Sequence, residues 1–329
     1  MQHTATRNKE IDMVKGIGIL LVVLGHAISP VSSGNLLLSK FYTIIYSFHM
    51  PLFFFVSGFL SKKLLTADDK KGKIKSKFFR LMIPYCVWAI IYIPLKIIME
   101  RFSRFGFDVK ALWTIVLGNN PNGQLWFLYV MFVLAVITIL FVNKKNLCIA
   151  IVIAAVISFF SPLYTPALPG ISLSFSALMA VFYIGGLAFS ADALEIIKKP
   201  AVALLSGILF ILYFVVKFCS AVNIWFLKLV PATCGIILVL YLCRLLSKTK
   251  VKNVLSYLGQ KSMNIYILHA PILICVRILL LNILKLYNPY FFIVVAVSIS
   301  LLGSFLISKF IVEKNKLLGA MLLGNKYEV

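Results

Sequence analysis

Two histidines lie inside apolar stretches of this chain, where imidazole is costly to keep without a purpose. His49 belongs to FHMPLFFFVSG, residues 48–58, and His26 ends EIDMVKGIGILLVVLGH, residues 10–26. Two imidazoles at similar depth in neighbouring hydrophobic segments mark a working interior. Neutral imidazole titrates near physiological pH and accepts a proton from a hydroxyl, so both rings are candidates for a general base or a proton path. Lys15 precedes His26 by eleven residues, three turns of α-helix, so the two lie almost on one line with Asp12, Ile19 and Val22. Lys15 reads either as a cation on the reaction path or as an inner-boundary anchor that snorkels to headgroups.

The elements that must hold these groups are membrane helices. Hydrophobic residues make up 61% of the chain and charged ones 13%, with a mean hydropathy of +1.00, too little polar surface for a water-soluble fold. Ten stretches are long enough to cross a bilayer, near 11–29, 41–61, 79–99, 124–142, 147–163, 174–190, 200–219, 226–247, 262–283 and 290–312. Their length and weak alternation argue against a β-barrel. The expected fold is an all-α integral membrane protein, a polytopic bundle of about ten transmembrane helices forming one domain over residues 1–329. The first span follows Arg7 and Lys9 without a small-residue cleavage site and reads as a retained anchor. Counted from Ile11, His26 lies roughly 22 Å into the first span; counted from Phe41 on the outer side, His49 lies roughly 12 Å into the second. Pro51 lacks an amide donor and disfavours helix at Met50, so this helix is expected either to break, exposing His49 or a carbonyl to a cavity, or to kink for packing.

A net charge of +23 would suggest nucleic acid in a soluble protein. Its distribution points elsewhere. With a cytoplasmic N-terminus, the inner side collects 24 of the 33 Lys and Arg, eight of them at 62–80 and five between Arg244 and Lys261. That asymmetry is the positive-inside pattern and places both termini in the cytoplasm, with membrane lipids as partners and no nucleic acid. The six cysteines fall in the expected spans without a CxxC pair and read as buried small residues, with neither a disulfide framework nor a metal site. Three connections stand out: the basic 62–78 segment, the 100–123 segment with an apolar middle at 109–117 suited to a short or re-entrant helix, and the proline-rich 162–170 loop.

Taken together, the residues resemble the acyltransferase-3 family of membrane acyltransferases, and within it the fucose O-acetylase-type branch. The resemblance covers nearly the whole chain and rests on EIDMVKGIGILLVVLGH at 10–26, FHMPLFFFVSGF at 48–59, KFFRLMIPY at 77–85, QLWFLYVMF at 124–132, FYIGGLAF at 182–189 and LGQKSMNIYILHAPI at 258–272. Each is a weak hydrophobic pattern alone; six in this order are specific. By position, His26 matches the family's essential first-helix histidine, and Lys15 stands where the family usually has arginine. Lys77 and Arg80 occupy its arginine pair, Ser57, Gly58 and Phe59 its SGF element, and His269 closes its late SxxIYxxH pattern. The two lysines keep charge and lose the planar fork of guanidinium.

The resemblance implies transfer of an acyl group, most simply acetyl from acetyl-CoA as co-substrate with no tightly bound cofactor, to a hydroxyl of an exported polysaccharide or its lipid-linked precursor at a bacterial cytoplasmic membrane. Such a reaction needs a base, for which His26 is the first choice with His49 and His269 as further candidates, and a cationic entrance for the phosphates of the acyl-CoA. Lys73, Lys77 and Arg80 can supply that entrance. Trp126 and Tyr266 can line an acceptor site or serve as interfacial packing, and Arg277 is an internal charge candidate. An acyl-histidine intermediate is the alternative to direct transfer. A multi-span transporter or flippase using His26, His49 and Arg277, and a non-catalytic assembly subunit, remain as readings of other classes. The charge asymmetry generates a topological prediction. In a variant lacking native cysteines, a cysteine at Ser76 reacts with an impermeant maleimide only in inside-out vesicles, and one at Asn119 only in right-side-out vesicles. The reverse pattern overturns the orientation.

Overall fold

A computed structural model describes residues 8–66, 68–98, 109–120, 122–164, 171–220 and 227–324. Among them the regular structure is helical throughout. Most of the 162–170 loop, and residues 100–108 and 121 of the 100–123 segment, lie outside the described residues. The chain divides into two units, the first made of Met1–Val56 and Phe189–Tyr266, the second of Ser57–Ala188 and Ile267–Val329.

In the first unit, α1 (Lys9–Ile28) begins at Asn8, whose Oδ1 accepts from the amides of Glu10 and Ile11 at 3.0 and 3.2 Å. Two otherwise orphaned donors are thereby satisfied, and Glu10 and Asp12 lie in the turn where the helix dipole favours negative charge. α2 (Leu36–Leu60) is the next span, and its last residues continue into the second unit. It continues as α-helix through Pro51, so of the two expectations there the break does not occur. Pro51 is buried, as are Leu52, Phe54 and Phe55 after it, and this packing retains the helix despite the missing amide.

The second unit continues with α3 (Lys70–Lys77), a π-helical turn at Phe78–Met82 and α4 (Ile83–Ile98). The basic 62–78 segment is therefore not a loop throughout: Asp69 caps a helix there, accepting from the Gly72 amide at 2.8 Å, and the candidate span runs over Lys70–Pro94. Residues Val109–Leu117 form a 3-10 helix, with Trp113 and Val116 67% and 78% exposed, in keeping with the expected short apolar helix. α5 (Trp126–Phe141), α6 (Leu147–Tyr164) and α7 (Ile171–Ala188) follow.

Back in the first unit come α8 (Ala191–Ile197), α9 (Pro200–Cys219), α10 (Leu229–Leu246) and α11 (Val251–Gln260). α12 (Ser262–Arg277) leads into the second unit, which ends with α13 (Pro289–Ile307) and α14 (Lys316–Leu323). Eight of the ten expected spans are single helices long and apolar enough to cross a membrane. The 174–190 segment instead belongs to a pair, Phe175–Ala188 and Ala191–Ile197, bent by 113°, because Ser190 starts a new helix by accepting from the Ala193 amide at 3.0 Å. The 147–163 segment is a shorter apolar helix over Leu147–Ser161. The cysteines also differ from expectation: Cys86, Cys148, Cys219 and Cys275 are exposed on the outer helical faces, and only Cys234 and Cys243 are buried.

α1 is the most buried span, with 67% of its central window inside, against 17% for α9. It packs closely on α11, and two glycines set their separation. A β-carbon on Gly16 would overlap the Leu255 carbonyl oxygen, and one on Gly259 would overlap that of Asp12. Backbone meets backbone, the kind of approach that small residues permit between membrane helices. Gly16→Val and Gly259→Val are each expected to cost at least about 2 kcal/mol, since the obstacles are backbone atoms and cannot swing aside. Thermal melting in detergent checks this. Gly185→Ala, whose β-carbon would meet nothing within 4 Å, is the neutral control.

Candidate active site

The stripe expected on α1 faces inward. Asp12, Ile19 and Val22 are 3%, 0% and 1% exposed. Lys15 is the stripe's cation, and its Nζ lies 2.6 Å from Asp12 Oδ1. One helical turn thus neutralises itself, and Lys15 stands about 16 Å along the helix from His26, three turns away. The structure does not bring these two together.

His26 is half-buried near the other end of α1, and its partner is a residue that sequence reasoning passed over. The hydroxyl of Tyr46, on α2, lies 3.2 Å from His26 Nδ1, with the rings edge-on at 6.0 Å and 83°. Gly25, next to His26, makes room for this ring: a β-carbon there would come within 2.9 Å of Tyr46 Cε2. Tyr42, one turn earlier on α2, stacks on Tyr46 at 4.0 Å and 28°. Tyr46 was detectable in principle, because it sits one turn before His49 on the same helix and therefore at comparable depth.

His49 is 3% exposed and belongs to the same cluster. Its Nδ1 donates to the Ile45 carbonyl at 2.8 Å, and its ring meets Tyr46 edge-on at 4.7 Å and 64°. The two histidines do lie in one neighbourhood, as their depths suggested, but with Tyr46 as the common contact. His26 is the more accessible ring.

A second polar group missed by the sequence reading anchors the start of α1. Lys198 Nζ contacts Glu10 at 2.8 Å and Glu195 at 2.6 Å with only 4% of its side chain exposed. Arg244 donates to the Lys198 carbonyl at 3.1 Å. Burial alone would lower the Lys198 pKa, but the hydrogen bonds and charges of the two carboxylates outweigh it and hold the value above that of an ordinary lysine. This cluster joins α1 to α8 and, through Arg244, to α10.

Tyr266 also belongs to the first unit and is 7% exposed on α12. The other candidates lie in the second unit. Lys73 and Arg80 are exposed and Lys77 is half-buried on the continuous helix from Lys70 onward, and the ammonium of Lys77 feels the charges of both. This is a cationic cluster with the chemistry to hold phosphate. The π-helical turn contains Arg80, whose carbonyl packs against Gly324 beyond α14. Trp126 stacks on Phe175 at 4.2 Å and 26°, joining α5 to α7. His269 is fully buried, and Arg277 is half-buried at the end of α12.

The sequence also matches known proteins. A family described as an acyltransferase domain, acyltransferase-3, matches residues 8–309. Nodulation protein NolL of Sinorhizobium fredii (strain NBRC 101917 / NGR234) is 30% identical over 157 residues, 45% of this chain and 42% of that protein. Nodulation protein NolL of Mesorhizobium japonicum (strain LMG 29417 / CECT 9101 / MAFF 303099) is 28% identical over 160 residues, 47% and 41% of the respective chains. The matches span about two fifths of the length of these curated relatives. No solved structure matches.

The Asp12–Lys15 geometry separates a structural from a chemical role for Lys15. Lys15→Met removes the cationic partner of a buried carboxylate and is expected to cost about 2–3 kcal/mol, less than a fully buried pair because Lys15 keeps some exposure. The double change Asp12→Asn with Lys15→Met is expected to recover most of that loss in thermal melting. Recovery of stability without recovery of activity would assign Lys15 to the chemistry.

Proposed function

The chain belongs to the acyltransferase-3 family, and on that premise we propose that it is a multi-pass membrane O-acyltransferase that moves acetyl from acetyl-CoA to a hydroxyl of a cell-surface or exported polysaccharide or its lipid-linked precursor. The observation that carries the reading is His26, half-buried on the interior face of α1 and held by the Tyr46 hydroxyl at 3.2 Å, at the position of the family's first-helix histidine.

The proposed reaction follows from imidazole chemistry. His26 takes the proton of the acceptor hydroxyl as its oxygen attacks the thioester carbonyl. The C–O bond forms, and the tetrahedral intermediate collapses with cleavage of the C–S bond. The thiolate leaves and recovers the proton from the imidazolium as the thiol of CoA. Lys73, Lys77 and Arg80 bind the phosphates of the nucleotide end, with Lys77 acting through charge where a guanidinium would form a fork. The orientation proposed with this reading puts both termini in the cytoplasm of a bacterial cell membrane, where acyl-CoA is made. His269, Trp126, Tyr266 and Arg277 are proposed for acceptor or donor contacts.

The test is transfer of radiolabelled acetyl from acetyl-CoA to isolated cell glycans by protein in lipid nanodiscs. His26→Ala is expected to lower turnover by roughly 10²–10⁴-fold, while acetyl-CoA binding and the melting temperature stay near the parent's. Undiminished transfer in that variant removes His26 from the mechanism. Absence of both transfer and acetyl-CoA binding in the parent, across several glycan extracts, overturns the acyltransferase reading in favour of a transporter.

A further inference from the structure

We propose that Tyr46 is a positioning residue that selects which ring nitrogen of His26 receives the acceptor proton: it holds Nδ1 in its protonated form and leaves the proton to arrive at Nε2. The inference rests on His26 acting as the base.

A neutral imidazole has one N–H and one lone pair, so a hydrogen bond at one nitrogen decides the chemistry of the other. At Nδ1 of His26 stands the Tyr46 hydroxyl, 3.2 Å away. A phenol can meet it in either sense. When Nδ1–H donates to the phenol oxygen, Nε2 carries the lone pair. Protonation at Nε2 then makes the ring cationic, and the Nδ1–H···O bond becomes charge-assisted and stronger just as the proton moves. The interaction is therefore worth more in the transition state than at rest, which is the condition for it to raise turnover.

Orientation by a side chain is useful only when that side chain is itself fixed, and Tyr46 is held on three sides. Tyr42 stacks on one face at 4.0 Å. His49 meets the ring edge-on at 4.7 Å and is locked by its own hydrogen bond to the Ile45 carbonyl at 2.8 Å. Gly25 supplies the seat on α1 beside His26, with its would-be β-carbon only 2.9 Å from Tyr46 Cε2. The same arrangement gives His49 a task other than proton transfer. It braces the phenol.

The experiment reads the tautomer directly. Protein labelled with ¹⁵N-histidine in nanodiscs gives the protonation state of each ring nitrogen, and His26→Gln assigns the His26 signals. The parent is expected to show protonated Nδ1. In Tyr46→Phe, which keeps the ring and removes the oxygen, the population is expected to shift toward protonated Nε2. The turnover number should fall about 10–100-fold, a fraction of the full contribution of a general base, with KM for acetyl-CoA unchanged. Protonated Nε2 in the parent overturns the proposal, and so does a Tyr46→Phe protein with the parent's tautomer and turnover. If that variant fails to fold, the parent spectrum alone decides. If His26→Ala retains transfer, the base assignment fails instead, a result distinct from either tautomer outcome.

Discussion

The separation of α1 from α11 is the constraint on which the first unit depends. Gly16 and Gly259 let two helix backbones approach until Cα hydrogens face carbonyl oxygens, and no other residue fits at either position. A crossing this close fixes the rotation of α1 about its axis as well as its distance, because turning the helix would drive a side chain into the Leu255 or Asp12 carbonyl. The rotation in turn decides which stripe faces inward. Asp12, Ile19, Val22 and His26 share that stripe by helical periodicity, so one pair of glycines sets the aspect of the whole polar track.

A polar track through a membrane protein is stable only when each group on it finds a partner. α1 solves this differently along its length. At its start Glu10 pairs with Lys198, which also takes Glu195; one turn on, Asp12 pairs with Lys15. Further along, the ion pairs give way to a hydrogen-bonded pair, His26 with Tyr46. The ion pairs sit where Glu10 and Lys15 keep 27% and 20% exposure, so part of their hydration survives and the desolvation cost falls below that of a sealed pair.

Much of this was legible in the sequence, and the reasons for success and failure are physical. The stripe from Asp12 to His26 follows from the helix period alone, and it faces inward as the spacing required. The neighbourhood of His26 and His49 followed from counting residues inward from opposite membrane faces. Of the two readings at Pro51, the break is the one that fails, because proline's local cost is offset by the packing of a buried helix, and α2 continues through it. The bend at the end of the 174–190 span was not legible because hydropathy registers apolar length and not the Ser190 cap, at which the chain turns by 113°. Tyr46 was passed over because tyrosine is common at membrane interfaces, and only its distance to an imidazole distinguishes it. Gly58 shows the same limit in the SGF element: the motif was visible, but that its glycine packs against the Tyr183 carbonyl, in another recurring motif, was not.

The choice of a phenol as the partner for His26 has a physical logic that a carboxylate would not satisfy. A carboxylate beside an imidazole is a stronger orienter, but it is charged at rest and must be desolvated permanently, at a cost of several kcal/mol for an ion taken from water. A phenol and a neutral imidazole carry no net charge, so the pair can occupy a half-buried position between two spans without a counter-ion. On the proposed mechanism, charge appears there only when a proton is transferred, and the phenol oxygen, already in place, would stabilise it through a bond that strengthens at that moment. The Asp12 carboxylate, by contrast, is kept three to four turns away on the same helix and tied to Lys15, where its field at His26 is largely cancelled by the adjoining ammonium. The helix thus holds Glu10 and Asp12 as compensated pairs toward one end, which leaves the other end to the His26–Tyr46 pair that the proposed mechanism would charge only in passing.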